Sequence, residues 1–165
     1  MKGLSFIVDN EYFAVDVNLV QKVARKMMIT PIPSAPNEVI GITNLKGRVI
    51  TIFSLNKLLN RKEYSTNDTA AFNAVIFKSF SDVGDYMGLH IDKPGDLIDI
   101  DDDLIQPPSL ATGMEDSFCI SGIVNVSDRL YRIISIDTIA KRYKGDGDLT
   151  AGSKYNKGVV SNERV

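Results

Sequence analysis

The sequence predicts a mainly β protein built as two copies of one small, closed or partly closed barrel. Three observations predict it. Residues 41 to 59 and 122 to 140 align without gaps and share Gly41/Gly122, Ile42/Ile123, Asn44/Asn125, Arg48/Arg129, Ile52/Ile133 and Ser54/Ser135. Short runs alternate between apolar and polar residues, the period of a half-buried strand. Turn-forming residues separate these runs at near-regular spacing, as in small barrels. The repeating unit of about 75 to 80 residues is far longer than the periods of about 20 to 50 that mark solenoids and propellers.

In chain order, LSFIV and YFAVDV form the first expected strand pair, joined through Asp9-Asn10-Glu11. The following VQKVARKMMITPIPSAP carries closely spaced prolines, which lack a ladder donor and confine the segment to edges and loops, and its start, LVQKV, reads as a helical or turn segment. GITNLKG then turns at Lys46-Gly47, where glycine accepts positive φ, and VITIFSL runs into LNKLL with Ser54 placed to cap a short helix.

The second copy repeats the plan. AFNAVIF and YMGLHID pair through Ser81-Asp82, DLIDIDDDLIQPPS takes the place of the proline segment, and LYRIISI follows a turn at Ser127-Asp128 and enters DTIAKRYK at Ser135. Upstream of the shared motif, Ala14, Val15 and Val17 stand opposite Gly88, Leu89 and Ile91, Val23 opposite Leu97, and Pro33 opposite Pro107; a longer loop around SLATGMEDS absorbs the difference in spacing. From Gly145 onward the chain is polar, Gly-rich and aperiodic, and residues 145–165 are expected to be a disordered tail.

Of 165 residues, 44% are hydrophobic and 24% charged, the composition of a folded globular chain. Nineteen Lys plus Arg against 21 Asp plus Glu leave a net charge of −2 with no long basic run, so nucleic acid is not an expected partner. The single cysteine, Cys119, excludes an internal disulfide and a CxxC metal site and fits a reducing compartment. The N-terminal residues lack a signal-peptide apolar region, and no run of about 18 apolar residues occurs. The expected location is the cytoplasm, without membrane insertion.

Reaction centres are not evident. His90, the only histidine, alternates with Met87, Leu89 and Ile91 and is expected at solvent or at a seam between subdomains. Asp99, Asp101 and Asp103 sit at the first ligand positions of a calcium loop, but Leu104 and Leu110 stand where its glycine and bidentate glutamate belong. GDGD follows no strand and opens no helix, which removes the context of a phosphate loop. Cys119, Met27 and Met28 read as packing residues, with a partner surface as the alternative for the methionine pair. No enzyme activity and no cofactor are expected; a duplicated β module of this kind binds.

The segment IPSAPNEVIGITNLKGRVITIFSLNKLL closely resembles the signature of the chemotaxis coupling protein CheW and of CheW-like domains, a proline-bearing loop leading into a GxxNLRG turn and an apolar strand. The resemblance extends through VDVNLVQKV, MGLHIDKPGDLIDI and ISGIVNV. It implies two intertwined five-stranded SH3-like barrels with short helices around a shared core, residues 1–144 forming one CheW-like domain of two subdomains. It also implies a non-enzymatic adaptor that couples the cytoplasmic tips of methyl-accepting chemoreceptors to a CheA-type histidine kinase and is recruited to receptor arrays. The alternative is an adaptor of a pilus, twitching or other non-flagellar chemosensory system. No receiver or phosphotransfer segment is seen, unlike CheV and CheA.

Carried over by that resemblance, the partner-binding residues are Val20, Lys22, Gly41, Asn44, Lys46 and Gly47. Lys46 replaces the family's arginine and loses the planar fork, and Lys22 stands where glutamate is common; Thr51 and Ser54 replace a proline and an aspartate. Structural roles compete with binding: turn chemistry for Gly41, Asn44 and Gly47, core packing for Val20, and salt bridges to the barrel for Arg48 and Arg129. The counterpart of Lys46 is Ser127, so the fold itself does not require a cation there. Truncation after Lys144 is expected to change unfolding free energy by less than about 0.5 kcal/mol in chemical denaturation; a larger loss would show that the tail docks.

Overall fold

The computed structural model describes residues 1–61, 71–79, 86–108 and 118–145. The expected turn at Ser81-Asp82, the loop around SLATGMEDS and the tail beyond Gly145 lie outside these residues. The first copy supplies β1 (Lys2–Val8), β2 (Glu11–Asp16), β3 (Val20–Met27), β4 (Val39–Leu45), β5 (Arg48–Ser54) and α1 (Leu55–Leu58). The second supplies β6 (Phe72–Phe77), β7 (Tyr86–Ile91), β8 (Lys93–Asp99), β9 (Ile120–Val126), β10 (Arg129–Ile134) and α2 (Ile136–Gly145).

These strands form two five-stranded sheets, in the orders β8-β1-β2-β10-β9 and β3-β6-β7-β5-β4. One barrel per copy is therefore not what forms. Each barrel combines the opening strand pair of one copy with the three later strands of the other. After β2 the chain makes one 3-10 turn, Val17–Leu19, and leaves for the other sheet. The exchange is closed by parallel pairing, Ala14 with Ile133 between β2 and β10, and Gly88 with Ile52 between β7 and β5. The registers repeat: Val23 pairs with Val75 and Val75 with Leu89, as Leu97 pairs with Leu4 and Leu4 with Val15.

Three hairpins turn on two residues of positive φ each: Asp9-Asn10 (53° and 62°), Lys46-Gly47 (53° and 81°) and Ser127-Asp128 (51° and 63°). This is the turn whose twist matches paired strands. The helix caps form as expected: Ser54 Oγ accepts the Lys57 N–H at 3.3 Å, and Ser135 Oγ accepts the Thr138 N–H at 3.2 Å.

Two expectations need correction. LVQKV is neither helix nor turn beyond Leu19; from Val20 it is strand β3, because its bonds go to β6. Thr30 bridges Ile42 as Gln106 bridges Ile123, so Pro31, not Pro33, stands opposite Pro107. The second copy spends additional residues on the 3-10 turn Asp102–Leu104, and a straight offset passes over them.

The bridges also explain the repeated glycine. Gly41 lies inside β4, not in a turn, and a β-carbon there would sit 2.3 Å from the Thr30 carbonyl oxygen. At Gly122 a β-carbon would meet the Ile105 side chain at 2.5 Å. Glycine recurs because a second backbone crosses the strand at that point.

The largest apolar cluster lies between the barrels and joins both sheets, with Phe6, Phe13, Phe53, Phe77, Leu89 and Ile139 all buried. A smaller cluster fills each barrel, Ala14, Val124, Tyr131 and Ile133 in one and Ala24, Ile50, Ile52 and Ile76 in the other. Helix α2 adds Ile136, Ile139 and Tyr143 to the shared cluster; Tyr143 packs on Phe53 with ring centroids 4.9 Å apart, and its hydroxyl donates to Glu38. At the surface of the junction, the Glu11 carboxylate is held between Arg61 and Arg132, the latter at 3.0 Å.

Replacement of Gly41 by Ala should destabilise by more than about 2 kcal/mol, since backbone must move to admit the methyl group. Gly47→Ala meets no atom within 4 Å and should cost only about 1 kcal/mol, for positive φ alone. Urea titration of the two variants checks the order.

Burial pushes the Cys119 thiol up from 9.0 to about 11, and burial followed by the Glu38 hydrogen bond raises the Tyr143 phenol as well. Both groups are neutral when folded and ionise more readily when unfolded. Their stabilisation is complete below pH 9 and, for Cys119, is lost as pH rises through about 11. Denaturant midpoints of Cys119→Ala should fall less steeply over that interval than those of the parent chain.

Candidate partner-binding surface

In the sheet β3-β6-β7-β5-β4, the end strands β3 and β4 face each other across a seam. The bridge between Thr30 and Ile42 ties the seam at one place, and Thr43 Oγ1 donates to the Met28 carbonyl at 2.9 Å beside it. Next to that tie a groove of about 560 Å³ remains, with Lys22, Arg25, Met27, Met28, Asn44 and Leu45 on its walls. Backbone groups of alternate strand residues point the same way, so the N–H and C=O of Asn44 face the seam as those of Ile42 do.

A break in the strand pattern makes the groove basic. Between Ala24 and Met27 the register of β3 shifts, and Lys26 takes φ 54°. Arg25 and Lys26 are then both exposed, where strict alternation would turn one of them inward. With Lys22 on the same strand and Lys46 at the neighbouring hairpin tip, the seam carries cations above an apolar floor that includes Val23 and Ala24.

The six residues singled out in the sequence are placed differently from one another. Lys22 and Asn44 line the groove. Asn44 also builds the turn, its Oδ1 accepting the Gly47 N–H at 3.0 Å. Lys46 and Gly47 are exposed at the tip of that turn. Val20 pairs with Phe77 at the start of β3 and packs, half-buried, against the shared cluster. Gly41 is buried under the Thr30 crossing and offers no side chain to a partner.

Arg25 and Leu45 were not singled out in the sequence, and Met28 only as the lesser alternative for the methionine pair. Met28 is 71% exposed instead of packed, whereas Met27 does pack, half-buried, beside the Ile50 and Ile52 cluster. Arg25 and Leu45 reach the groove through the bulge and through the position of β4 at the sheet's end. The methionine pair directly after a charged strand was the one available signal.

Among the described residues, Arg48 and Arg129 are not seen in a salt bridge to the barrel. Each guanidinium lies over a tyrosine, Arg48 at 5.0 Å from the Tyr86 centroid and Arg129 at 4.1 Å from that of Tyr12. Tyr86 is the first residue of β7 and Tyr12 the second of β2, the strands parallel to β5 and β10, so the repeated arginines fasten each hairpin to the other copy.

Cys119 is buried in the shared cluster, as a packing residue is. His90 meets the Phe72 ring edge-on, with centroids 4.7 Å apart. In the acidic loop, Asp101 Oδ1 caps the Asp103 N–H at 3.0 Å and Asp102 pairs with the N-terminal ammonium at 3.2 Å, which gives those carboxylates structural partners. Thioethers, aliphatic carbons and cations suit a groove for apolar and acidic side chains.

The CheW-like domain model matches residues 2–144 of the chain. This chain belongs to the CheW-like family. It is 28% identical over 137 residues to the chemotaxis protein CheW of Rhizobium meliloti (strain 1021), covering 82% of this chain and 84% of that protein. To the chemotaxis protein CheW of Thermotoga maritima it is 29% identical over 138 residues, covering 82% and 85%. The structure of the scaffolding protein TtCheW from Thermoanaerobacter tengcongensis superposes with a TM-score of 0.69 at 27% identity, over 82% of this chain and 88% of that one. The paired sheets are thus the SH3-like barrels of the CheW-like fold, and the chain is a CheW-type scaffold of chemotaxis signalling. Among the described residues, no helix is long and apolar enough to cross a membrane.

Proposed function

We propose that this chain couples chemoreceptors to a CheA-type histidine kinase, working without catalysis from the cytoplasmic side and recruited to membrane-associated receptor arrays. Residues 1–144 act as the coupling domain. The observation that carries the reading is the basic, methionine-lined groove between β3 and β4, bordered by the Lys46 hairpin. A helical receptor tip that presents apolar residues beside carboxylates is complementary to it in shape class and in charge. The family's kinases carry a related barrel, and the kinase contact is assigned to barrel surface outside the groove.

Lys46 gives the direct test, because it is exposed at a tip where its charge costs the fold little. Lys46→Glu should leave the melting transition in place and weaken receptor coupling by about 1 to 3 kcal/mol, the range of a charge-assisted hydrogen bond. Lys46→Arg should couple at least as well, since the guanidinium restores bidentate geometry. Asp128→Lys, at the matching hairpin of the other barrel, is the control and should create no new receptor binding. Kinase activation in an array reconstituted from receptor, kinase and each variant reads all three. Full activation by Lys46→Glu would remove Lys46 from the contact and leave NLKG as turn chemistry alone.

A further inference from the structure

The methionines of the described residues differ in what surrounds them. Met87 is 6% exposed inside the shared cluster, Met27 packs half-buried beside Ile50 and Ile52, and Met1 packs half-buried against the cluster of the other barrel. Met28 is 71% exposed and stands on the groove wall with Lys22, Arg25, Asn44 and Leu45. Its backbone holds it there. The Met28 carbonyl accepts from Thr43 Oγ1 at 2.9 Å, Thr43 is itself buried, and the bridge of Thr30 to Ile42 follows two residues later. A thioether is thereby fixed in water at the edge of the candidate binding surface.

The fold does not ask for sulfur at this point. In the second copy the equivalent bridge joins Gln106 to Ile123, and the residue two positions before it is Leu104, 59% exposed. Both copies leave a large apolar side chain in water beside the bridge, and the copy that carries the basic groove makes that side chain oxidisable. Leucine has about the same volume and would offer a partner a similar apolar contact without the reactivity.

We propose that Met28 is a reversible oxidation site through which hydrogen peroxide lowers the affinity of the groove for its partner, a regulation that rests on the receptor reading of the groove. In the forward step the sulfur lone pair attacks one peroxide oxygen. An S–O bond forms, the O–O bond breaks, and the released hydroxide takes the proton from the oxygen now on sulfur and leaves as water. Sulfur loses two electrons and the peroxide gains them, which makes Met28 its sulfoxide. Return needs a dithiol reductant, which is oxidised to a disulfide while the sulfoxide oxygen leaves as water. The S–O group is polar where the thioether was apolar, and its oxygen is an acceptor that competes for the Lys22 and Arg25 donors on the same wall. An apolar contact and part of the positive charge offered to carboxylates are lost together.

Limiting hydrogen peroxide added to the full chain, followed by tandem mass spectrometry, reads the order of reaction; fragmentation is needed because Met27 and Met28 are adjacent. Met28 should gain its oxygen first, and oxidation of Met27 or Met87 at an equal or higher rate would overturn the proposal. Calorimetry then compares binding of a soluble cytoplasmic receptor fragment to the untreated and the oxidised chain. Oxidation should weaken binding about tenfold, the order expected for one methionine side chain left in water. Methionine sulfoxide reductase with a dithiol should restore it. Met28→Leu should show one affinity before and after treatment, and Met28→Gln, polar without any oxidant, should bind as weakly as the oxidised parent. Met28 is exposed, so both variants should melt like the parent. An oxidised parent that binds as well as the untreated chain overturns the proposal and leaves the receptor reading standing. So does a loss that Met28→Leu shares or that the reductase fails to reverse. No binding by the untreated chain overturns the receptor reading, and this proposal with it.

Discussion

Parallel pairing of β2 with β10 and of β7 with β5 is the constraint on which the rest of the molecule depends. At these two junctions the opening strands of each copy enter the sheet of the other. Strand pairs that alone would leave an apolar face in water are thereby covered twice, inside a barrel on one side and against the shared cluster on the other. Phe6 and Phe13, stacked with centroids 5.9 Å apart, come from one sheet, while Phe53 and Phe77 come from the other. Each such ring contributes roughly 1.5 to 3 kcal/mol by leaving water. The Arg–Tyr stacks and the ion pairs of Glu11 sit at the rim of the same junctions. Arg48 and Arg129 are exposed, so their stacks guide register more than they stabilise, whereas the Glu11 pairs are partly buried.

Much of this was legible from residue types. Period-2 alternation located β1, β2, β6 and β7, paired turn residues located the hairpins, and two serines located the helix starts. What alternation reports is which face of a strand is buried; it is silent on which strand lies alongside. The exchange between copies was therefore not readable from the residues alone, although the family resemblance implied intertwined barrels. Pattern also fails where backbone departs from the pleat. Lys26 at positive φ breaks the period of β3, and the 3-10 turn Asp102–Leu104 breaks the spacing between copies, so Arg25 and Pro31 were assigned wrongly or not at all. Gly41 looked like a turn residue because glycine most often is one; only the Thr30 carbonyl above it reveals the other reason.

The candidate surface was half visible for a related cause. Lys46 stood out because its counterpart in the second copy is not a cation, a comparison that needs no coordinates. Lys22 and Asn44 came with the family signature and do line the groove. Met28, Arg25 and Leu45 belong to it through strand position at the sheet's end, and an edge is a property of topology. Equivalent backbone with unlike side chains separates what the fold requires from what the surface has been free to vary.

Exchange of the opening strands has a consequence for ancestry. A chain carrying a single copy holds every strand needed for a barrel, but in this architecture its first two and last three strands belong to different barrels. Two such chains would reproduce the present molecule by trading ends across a twofold axis. Fusion of the two genes would then have turned a symmetric pair into one polypeptide without altering a strand contact, and would have released the two hairpin tips from identity. Only after that step could one tip carry Lys46 while the other carried Ser127 and Asp128.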